Sequence, residues 1–473
     1  MSPLLSLLGQ RCQADWLIGY DCNQFYRAVE AYRTQFQKLV QHYQTDKLLL
    51  NEREPWPFLA LLLGAIAADC SPFIANPDWQ TQEWQQVSQF LTPVEKDDPV
   101  LMLGTQTYQF LVPFPKNTTI PSNSILIPTG GSSGKIRFAI HNWQTLSESV
   151  RGFQEYFQEE VVNSFCLLPL HHVGGLMQFI RSLLSAGKFV QLTFSDFKAG
   201  KRIKIQPESY YLSLVPTQLY YLLDNASDWL AQFKTVFLGG AAASPSLLKR
   251  ARHHRIRLAP TYGMTETAAQ IATLKPDDFL KGEQSNGQIL PHALVKILDD
   301  NGNCLSNHQS GIITIEAKSL FLGYFPNKSY LHRPFRTDDL GYFDQNQALN
   351  ILGRNNHKII TGGENVFPAE IESAIQNTNL VSDVAIIGVP DAKWGEAIAA
   401  LCVLRQSTIE LSTIQNKLKG KISRYKYPKY WICLNQLPRN ALGKLNVRQL
   451  QAIALDFVNQ EKKQTSVQKS LDA

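Results

Sequence analysis

The segments SFCLLPL (164–170), KFVQLTF (188–194), YYLSLVP (210–216) and TVFLGGAA (235–242) decide the fold class. Each is a short apolar run that ends in glycine, proline or a small residue, and helix-compatible sequence follows several of them. Strands that alternate with helices in this way indicate an α/β layered fold with a mainly parallel sheet. In such folds the functional groups lie on the loops that leave the carboxyl ends of the strands.

The sequence on either side of this region has a different texture. Most of the first hundred residues are predicted to be helical, because 22–43 and 79–91 carry apolar or aromatic residues every three or four positions. Near residue 360 a pattern of helix, alternating strand (381–389), helix and strand begins, which indicates a small α+β domain. We therefore predict a large amino-terminal layered α/β domain over 1–354, a hinge at 354–357, a small mobile carboxyl-terminal α+β lid over 355–458 and a disordered polar tail over 459–473.

Composition excludes several classes of protein. The chain has 473 residues, of which 44% are hydrophobic and 10% aromatic, so its bulk is neither disordered, collagenous nor coiled coil. A net charge of +6 is too small to mark a nucleic-acid binder. The 7 cysteines are scattered and never in CxxC spacing, which argues against a disulfide framework or zinc site and for a reducing compartment. With no signal-peptide pattern and an apolar run (58–68) too short for a bilayer, we expect a cytoplasmic protein without membrane spans.

The Gly/Ser-rich segment IPTGGSSGKIR (127–137) is the first candidate site. It follows a predicted strand, and its closely spaced N–H groups and hydroxyls could hold phosphate oxygens. It is not a Walker A loop, because Thr129 stands where that motif needs glycine and Ile136 where it needs Ser or Thr. A plain surface loop is the alternative. The candidate phosphate-binding residues are Thr129, Gly130, Gly131, Ser132, Ser133 and Gly134.

The segment PLHHVGGLMQFIRS (169–182) places a histidine pair at a strand end and an arginine in the apolar helix that follows. A guanidinium in such a helix must reach solvent or meet an anion, because burying it unpaired is costly. Arg181 is therefore either an anion-binding residue or a snorkelling side chain.

The segments FLGGAAAS (237–244) and APTYGMTETA (259–268) form the third candidate site. Small side chains after a strand allow a ligand to approach the backbone closely. YGMTET adds an aromatic face, hydroxyls and one carboxylate, which suit a planar base, a phosphate and a hard cation such as Mg²⁺. In FRTDDLGYFD (335–344) a carboxylate could accept ribose hydroxyls, although Asp-Asp turns are also common as plain structure. In LPRNALGKLN (437–446) Lys444 could deliver one mobile positive charge.

In this order and spacing the motifs resemble the adenylate-forming superfamily of acyl-CoA synthetases, luciferases and peptide-synthetase adenylation domains, over residues 124–447. The resemblance implies a large amino-terminal domain and a small lid that swings about a hinge. It also implies two reaction steps. A carboxylate attacks the α-phosphate of ATP, giving an acyl-AMP and pyrophosphate, and the thiol of CoA then displaces AMP.

The resemblance also implies roles for individual residues. Thr265 would touch the α-phosphate, Glu266 would ligate Mg²⁺, and Lys444 would bridge the carboxylate and α-phosphate oxygens as charge builds there. Asp339, assisted by Arg354, would hold the ribose. For the nucleotide the resemblance also implies Gly239, Gly240, Tyr262 (stacked on adenine) and Gly263. For the acid it implies His172, which also counts among the catalytic residues, together with Arg181, Gly240 and Ala241. Gly363 and Trp394 would lie along the pantetheine path.

Within the superfamily the chain most resembles the 2-succinylbenzoate–CoA ligases of menaquinone and phylloquinone biosynthesis. The grounds are its short length, the loop PTGGSSGKIRFAIH (128–141) and an arginine nine residues after His172. That substrate is a dianion, so the carboxylate that is not activated needs a cation in the pocket. The resemblance implies ATP, Mg²⁺, CoA and an aryl dicarboxylate as ligands.

Three alternatives remain open. The chain could be an acyl-CoA or aryl-CoA synthetase for another carboxylate, or an adenylation domain that loads a carrier protein. The third alternative is a nucleic-acid-binding protein, for which the only support is KLKGKISRYKYPKYW (417–431), where basic residues alternate with aromatics. The same stretch could be a solvated helix face or a site for the phosphates of CoA, and we expect no nucleic-acid partner.

Overall fold

The computed structural model describes residues 3–79, 81–91, 111–113, 120–130, 136–326, 334–354, 359–361, 364–366, 368–391, 394–422, 426–439 and 445–471. The chain forms two compact units, of which the first comprises Met1–Gly240, Arg255–Val295 and Ile315–Phe335, and the second Ala241–His254, Lys296–Thr314 and Arg336–Ala473. Both contain helices and strands, so the predicted α/β class with a large amino-terminal and a smaller carboxyl-terminal part is confirmed. The domain boundary at 354 stays a prediction, because the hinge residues 355–358 lie outside the described residues.

The first sheet contains the strands that the sequence predicts to be parallel. Its strands are β1 (Leu17–Ile18), β7 (Asn163–Cys166), β8 (Phe189–Gln191), β9 (Tyr210–Leu214), β10 (Thr235–Leu238), β11 (Leu258–Met264), β12 (Ala269–Thr273) and β13 (Gln288–Ile289). Their order is β1-β8-β7-β9-β10-β11-β12-β13, and the sheet is parallel from β1 to β11 and antiparallel beyond. The predicted mainly parallel sheet is thus confirmed.

Three further sheets are present among the described residues. One has the order β16-β6-β5-β3-β2-β4, with β2 (Lys47–Leu50), β3 (Ser71–Ile74), β4 (Leu111–Pro113), β5 (Ser124–Gly130), β6 (Ile136–Asn142) and β16 (Gly323–Phe325). Another consists of β14 (Ala293–Leu298), β15 (Gly311–Ala317), β17 (Phe335–Phe343) and β18 (Leu349–Arg354). The last contains β19 (Ile359–Thr361), β20 (Glu364–Val366), β21 (Val381–Asp391), β22 (Gly395–Leu404) and β23 (Tyr430–Cys433).

Helices connect these strands and supply much of the core. They are α1 (Pro3–Arg11), α2 (Cys22–Tyr43), α3 (Pro55–Ala67), α4 (Thr81–Ser88), α5 (Trp143–Phe157), α6 (Val173–Leu184), α7 (Phe194–Lys198), α8 (Pro216–Asn225), α9 (Ser227–Leu230), α10 (Pro245–His253), α11 (Pro276–Lys281), α12 (Pro368–Gln376), α13 (Leu411–Leu418) and α14 (Val447–Leu471). The predicted helix over 22–43 is confirmed. Asp21 caps its amino terminus, because the Asp21 carboxylate accepts hydrogen bonds from two N–H groups of the first turn.

The apolar run of residues 58–68 lies in α3, a buried helix. Leu59, Leu62 and Leu63 are almost completely buried and share a core cluster with Phe36 of α2 and Phe179 of α6. A helix that is apolar on all sides belongs in a core. Within the described part of the chain, none of the helices combines the length and hydropathy needed to cross a membrane.

The prediction that the first hundred residues are mostly helical is confirmed by α1 to α4 in the described part of that region. The short strands β1, β2 and β3 also lie there, because apolar runs such as 47–50 fit a buried strand and a helix equally well. The tail from residue 459 is helical to Leu471 rather than disordered. Buried Leu450, Ala454 and Val458 fix the start of α14, and the polar residues that follow include no glycine or proline to end it.

Candidate active site

The carboxyl ends of the parallel strands meet at one edge of the first sheet. Leu238 of β10 is in register with Leu214 of β9 on one side and with Pro260 of β11 on the other. Leu214 and Leu238 end their strands, so the segments after them leave the sheet together beside β11, which continues to Met264. Gly239 and Gly240, predicted to bind nucleotide and acid, follow β10 there, as the sequence predicts for functional loops.

Both glycines suit the geometry of this edge. Gly240 has a φ of +79°, a conformation that glycine adopts without strain. A Cβ on Gly239 would lie 2.8 Å from the Oγ1 of Thr261. The backbone at the end of β10 therefore carries no side chains that would keep a ligand away from it. Ala241, the next predicted residue, is exposed and is the first residue of the second unit.

The YGMTET segment forms the hairpin between β11 and β12. Tyr262 and Gly263 lie in β11, and Thr265–Thr267 form a 3-10 turn that leads into the antiparallel strand β12. Glu266 is only 8% exposed in that turn. A carboxylate so withdrawn from water needs hydrogen-bond partners.

Residues remote in sequence hold this turn in place. The Tyr324 hydroxyl donates to Oε1 of Glu266 at 2.6 Å, and the Phe321 N–H donates to its backbone oxygen at 2.8 Å. The Ser319 hydroxyl donates to the Thr267 carbonyl at 3.0 Å. The candidate metal ligand is therefore oriented by a tyrosine that sequence analysis did not select. The only sequence cue was one hydroxyl in the apolar run FLGYF (321–325).

The predicted phosphate loop is the connection of a second hairpin in the same unit. Thr129 of β5 pairs with Arg137 of β6, and the connecting residues Gly131, Ser132, Ser133 and Gly134 lie outside the described residues. The Arg137 guanidinium lies 4.3 Å above the Tyr324 ring, while β16, which carries Tyr324, pairs with β6. Tyr324 thus links the phosphate hairpin to the Glu266 carboxylate.

His141, at the end of β6, is a second residue that sequence analysis missed. Its Nε2 lies 2.8 Å from the Thr265 carbonyl oxygen and its Nδ1 lies 3.0 Å from the Thr145 hydroxyl. A carbonyl can only accept, so Nε2 carries the hydrogen. Burial lowers the pKa of His141 to about 4, which keeps the ring neutral at pH 7. The cue available in the sequence was a histidine that ends the strand-like run FAIH (138–141).

We expect His141→Gln to weaken the dependence of stability on acid. The folded-state pKa of about 4 lies below the value of 6.5 for an exposed histidine, so the unfolded chain binds the proton first. The contribution of neutral His141 is therefore present above pH 6.5 and is lost as the pH falls towards 4. The melting temperature of the variant should be lower at pH 7, and its decline between pH 6.5 and 4 should be shallower than that of the wild type. Parallel declines would contradict the assignment.

Two of the predicted acid-binding residues, His172 and Arg181, lie at the start of α6 and within it. His172 forms the amino-terminal cap of α6, after strand β7, whose end is in register with β9. The rings of His171 and His172 are 4.3 Å apart, and burial lowers the pKa of His171 to about 4. His172 is thus placed at the same sheet edge as the bare backbone of Gly239.

Arg181, further along the same helix, is buried. Only 3% of the residue is exposed, so the snorkelling alternative is wrong. Its Nη2 donates to Oε1 of Gln270 at 3.1 Å, and its Cζ lies 4.5 Å above the Phe153 ring. Burial lowers its pKa to about 10, which leaves the guanidinium charged at pH 7. Among the described residues no carboxylate pairs with it.

In the second unit the structure brings two predicted ribose-binding residues together. Asp339 of β17 faces Arg354 of β18, and the arginine Nε lies 3.0 Å from Oδ1 of the aspartate. Asp339 is buried at 8% exposure, whereas its neighbour Asp338 is exposed. The sequence could not say which of the paired carboxylates faces inward, and the alternation of β17 decides it.

Trp394, Gly363 and Lys444 are further predicted site residues of this unit. Trp394 is 46% exposed next to the end of β21, where its N–H donates to Oδ1 of Asp391 at 3.1 Å. Gly363 and Lys444 lie outside the described residues. In the basic stretch, Lys426 pairs with Glu370 at 2.5 Å and Lys429 with Asp391 at 2.7 Å. Part of the positive charge of this stretch is therefore engaged in ion pairs within the unit.

Comparison with known proteins defines the class. The AMP-binding enzyme family matches residues 80–325, and the AMP-binding enzyme C-terminal domain matches residues 370–444. The chain belongs to the AMP-binding enzymes.

Several members of this family are similar over most of the chain. A 2-succinylbenzoate–CoA ligase of Enterococcus faecalis is 30% identical over 341 residues, which cover 70% of each chain. The one of Listeria monocytogenes serovar 1/2a is 32% identical over 329 residues, covering 68% of this chain and 67% of that one. An indoleacetate–CoA ligase of Aromatoleum aromaticum is 32% identical over 348 residues, covering 70% and 68%.

A solved structure has the same fold. The o-succinylbenzoate CoA synthetase of Bacillus subtilis, in complex with its acyl-adenylate intermediate, superimposes with a TM-score of 0.77 at 23% identity and covers 94% of this chain and 97% of that chain. The large and small parts predicted from the sequence thus correspond to the architecture of an adenylate-forming enzyme.

Proposed function

We propose that the chain is an AMP-forming 2-succinylbenzoate–CoA ligase. It adenylates 2-succinylbenzoate with ATP and transfers the acyl group to CoA, releasing AMP and pyrophosphate. The single observation that carries the choice of substrate is Arg181, a buried cation without a described carboxylate partner on the helix that His172 begins. A dicarboxylate supplies the missing anion, because its second carboxylate remains charged when the first is activated. Relatives with that name support the proposal.

A second candidate is a CoA ligase for another aryl acid. The indoleacetate–CoA ligase relative is as similar as the succinylbenzoate ligases, and its named substrate has one carboxylate. Such an acid would be activated at its only carboxylate and would leave Arg181 without an anion. The charge of Arg181 therefore favours the dicarboxylate.

The nucleotide half of the site fits ATP and Mg²⁺. Magnesium is held in such sites by one or two carboxylates together with substrate phosphates, so a single oriented carboxylate is sufficient. Glu266 is that carboxylate, and Thr265 in the same turn would contact the α-phosphate. Residues 129–137 would hold the phosphates, Tyr262 and Gly263 the adenine, and Asp339 with Arg354 the ribose. Mg²⁺ would neutralise phosphate charge as pyrophosphate leaves.

The chain's own residues would then guide two displacements. In the first, a carboxylate oxygen of the acid attacks the α-phosphorus and the bond to pyrophosphate breaks, with Lys444 stabilising the charge on the oxygens. In the second, the CoA thiolate attacks the acyl carbon and AMP leaves, with Gly363 and Trp394 along the pantetheine path. The 7 free cysteines support a cytoplasmic location for this chemistry.

We expect Tyr324→Phe to raise the Mg²⁺ concentration needed for half-maximal adenylation by about 10- to 100-fold, the scale of losing a residue that orients a metal ligand. The variant keeps the ring beneath Arg137 but loses the hydrogen bond to Glu266. A Mg²⁺ titration of ATP–pyrophosphate exchange measures the shift, with Tyr220→Phe, at an exposed tyrosine, as control. A lower rate with an unchanged Mg²⁺ midpoint would show that Tyr324 does not act through Glu266.

The products test the proposed function. Purified protein with ATP, Mg²⁺, CoA and 2-succinylbenzoate should yield 2-succinylbenzoyl-CoA, AMP and pyrophosphate in equal amounts, measured by mass spectrometry. Omission of CoA should leave an enzyme-bound acyl-adenylate. Formation of ADP, or an acyl-adenylate that CoA cannot discharge, would contradict the proposal.

A further inference from the structure

His292, just before β14, is a buried histidine whose ring has no hydrogen-bond partner among the described residues. The residue is 9% exposed, and neither Nδ1 nor Nε2 has a hydrogen-bond partner within the described ranges of the chain. Its backbone is fixed, because the His292 carbonyl accepts from the Lys318 N–H at 3.2 Å. A buried polar ring without partners is costly unless something else satisfies it.

His292 and Arg181 pack on consecutive residues of α5. A Cβ on Gly152 would lie 1.8 Å from Nδ1 of His292, so the imidazole fills the space that a side chain would occupy. The Arg181 guanidinium lies over the ring of Phe153, the next residue. One turn of α5 therefore contacts both side chains, and the charge of Arg181 acts on His292 strongly enough to help lower its pKa.

The Gln270 side chain, which also belongs to this cluster, is already engaged at both ends. The amide of Gln270 accepts from Arg181 through Oε1 and donates through Nε2 to the Thr273 hydroxyl at 3.2 Å. The Nε of Arg181 has no partner within the described part of the chain, as is true of both nitrogens of His292. The cluster thus offers unused hydrogen-bond donors around a buried positive charge and no described carboxylate, which is the chemistry of an anion site.

The protonation of His292 suits that role. Burial, and then the charge of Arg181, lower its pKa to about 4, so the ring is neutral at pH 7. A neutral imidazole still donates one N–H. It can therefore contribute to binding an anion without adding a second buried charge beside Arg181.

We propose that Arg181 and His292 together bind the carboxylate of the acid substrate that is not activated, with the imidazole N–H of His292 as a specificity-determining donor. This inference rests on the proposed function. The carboxylate lies against the guanidinium and accepts from the imidazole, and Gly152 keeps the ring in position.

Two variants test the role of His292. His292→Leu removes the donor. Gly152→Ala leaves the imidazole of His292 unchanged but displaces it, while the helical backbone at residue 152 itself accepts alanine. Each should lower kcat/KM for 2-succinylbenzoate by about 10- to 100-fold, the scale of one hydrogen bond to a charged group. Exchange with 4-oxo-4-phenylbutanoate, which lacks the ring carboxylate, should change less than about 3-fold. His292→Gln, which retains a donor, should lose less than His292→Leu.

The controls separate the possible failures. His42→Phe, at an exposed position of α2, should leave both acids unaffected. Equal losses for both acids in the two variants would overturn the inference, because His292 would then only support the fold. If the wild type shows no exchange with 2-succinylbenzoate but does so with another acid, the proposed function fails instead. If His292→Leu does not fold, the relative loss of activity with the two acids in Gly152→Ala alone decides.

Discussion

Arg181→Ala is expected to lower kcat/KM for 2-succinylbenzoate by roughly 30- to 5,000-fold, which corresponds to a loss of about 2–5 kcal/mol in transition-state stabilisation. The guanidinium is buried and charged at pH 7, and no described carboxylate neutralises it. Its removal would leave the second carboxylate of the substrate in the same buried place without a counter-charge. Initial rates of ATP–pyrophosphate exchange over a range of acid concentrations measure the loss.

The matched control is the substrate that lacks the ring carboxylate. Its exchange should be nearly indifferent to Arg181→Ala, and KM for ATP should stay near the wild-type value. Arg181→Lys should also impair the dicarboxylate, because lysine keeps the charge but loses the planar pair of donors. If both acids lose activity equally, Arg181 stabilises the fold through Gln270 and Phe153, and the cation of the pocket lies elsewhere.

Lys444→Ala is expected to separate the two half-reactions. The positive charge is needed while the carboxylate attacks the α-phosphate, and the lid should carry it away before the thiol arrives. Adenylation should fall by about 10²-fold or more, the scale of losing a key charge-stabilising donor. Thioester formation from synthetic acyl-AMP and CoA should largely survive.

Both steps can be measured on the same preparation of the variant. Pyrophosphate exchange reports the first step, and thioester formation from added acyl-adenylate reports the second. Lys281→Ala, at an exposed lysine in α11, serves as the charge-matched control and should leave both steps near the wild-type rate. An equal collapse of both steps in Lys444→Ala would contradict the alternating role of the lid.

The fold was predictable where local sequence decides it. The strands β7 to β10 follow from short apolar runs that end in small residues, and their common direction follows from the helices between them. The strands β1 to β3 were missed, because two to four apolar residues fit a buried strand and a helix alike. The end of α14 was missed because a polar sequence without helix breakers continues any helix that packing has started.

The motifs of the candidate site could be predicted from the sequence, but the residues that orient them could not. Glu266 and Arg181 stand out as charges in apolar surroundings. The residues that orient them do not, since they come from distant parts of the chain: Tyr324 is 58 positions from Glu266, and His141 is 124 positions from Thr265. Only the pairing of β6 with β16 and the return of β11 bring these groups together.

ATP–pyrophosphate exchange with a panel of acids shows whether the chain adenylates an aryl dicarboxylate. The panel contains 2-succinylbenzoate, benzoate, succinate, indoleacetate and a fatty acid, each at matched concentrations with wild-type enzyme, ATP and Mg²⁺. We expect fast exchange with 2-succinylbenzoate and exchange lower by about two orders of magnitude with every monocarboxylate, as expected for a buried cation left without its anion. Fast exchange with indoleacetate or the fatty acid, and none with 2-succinylbenzoate, would contradict it.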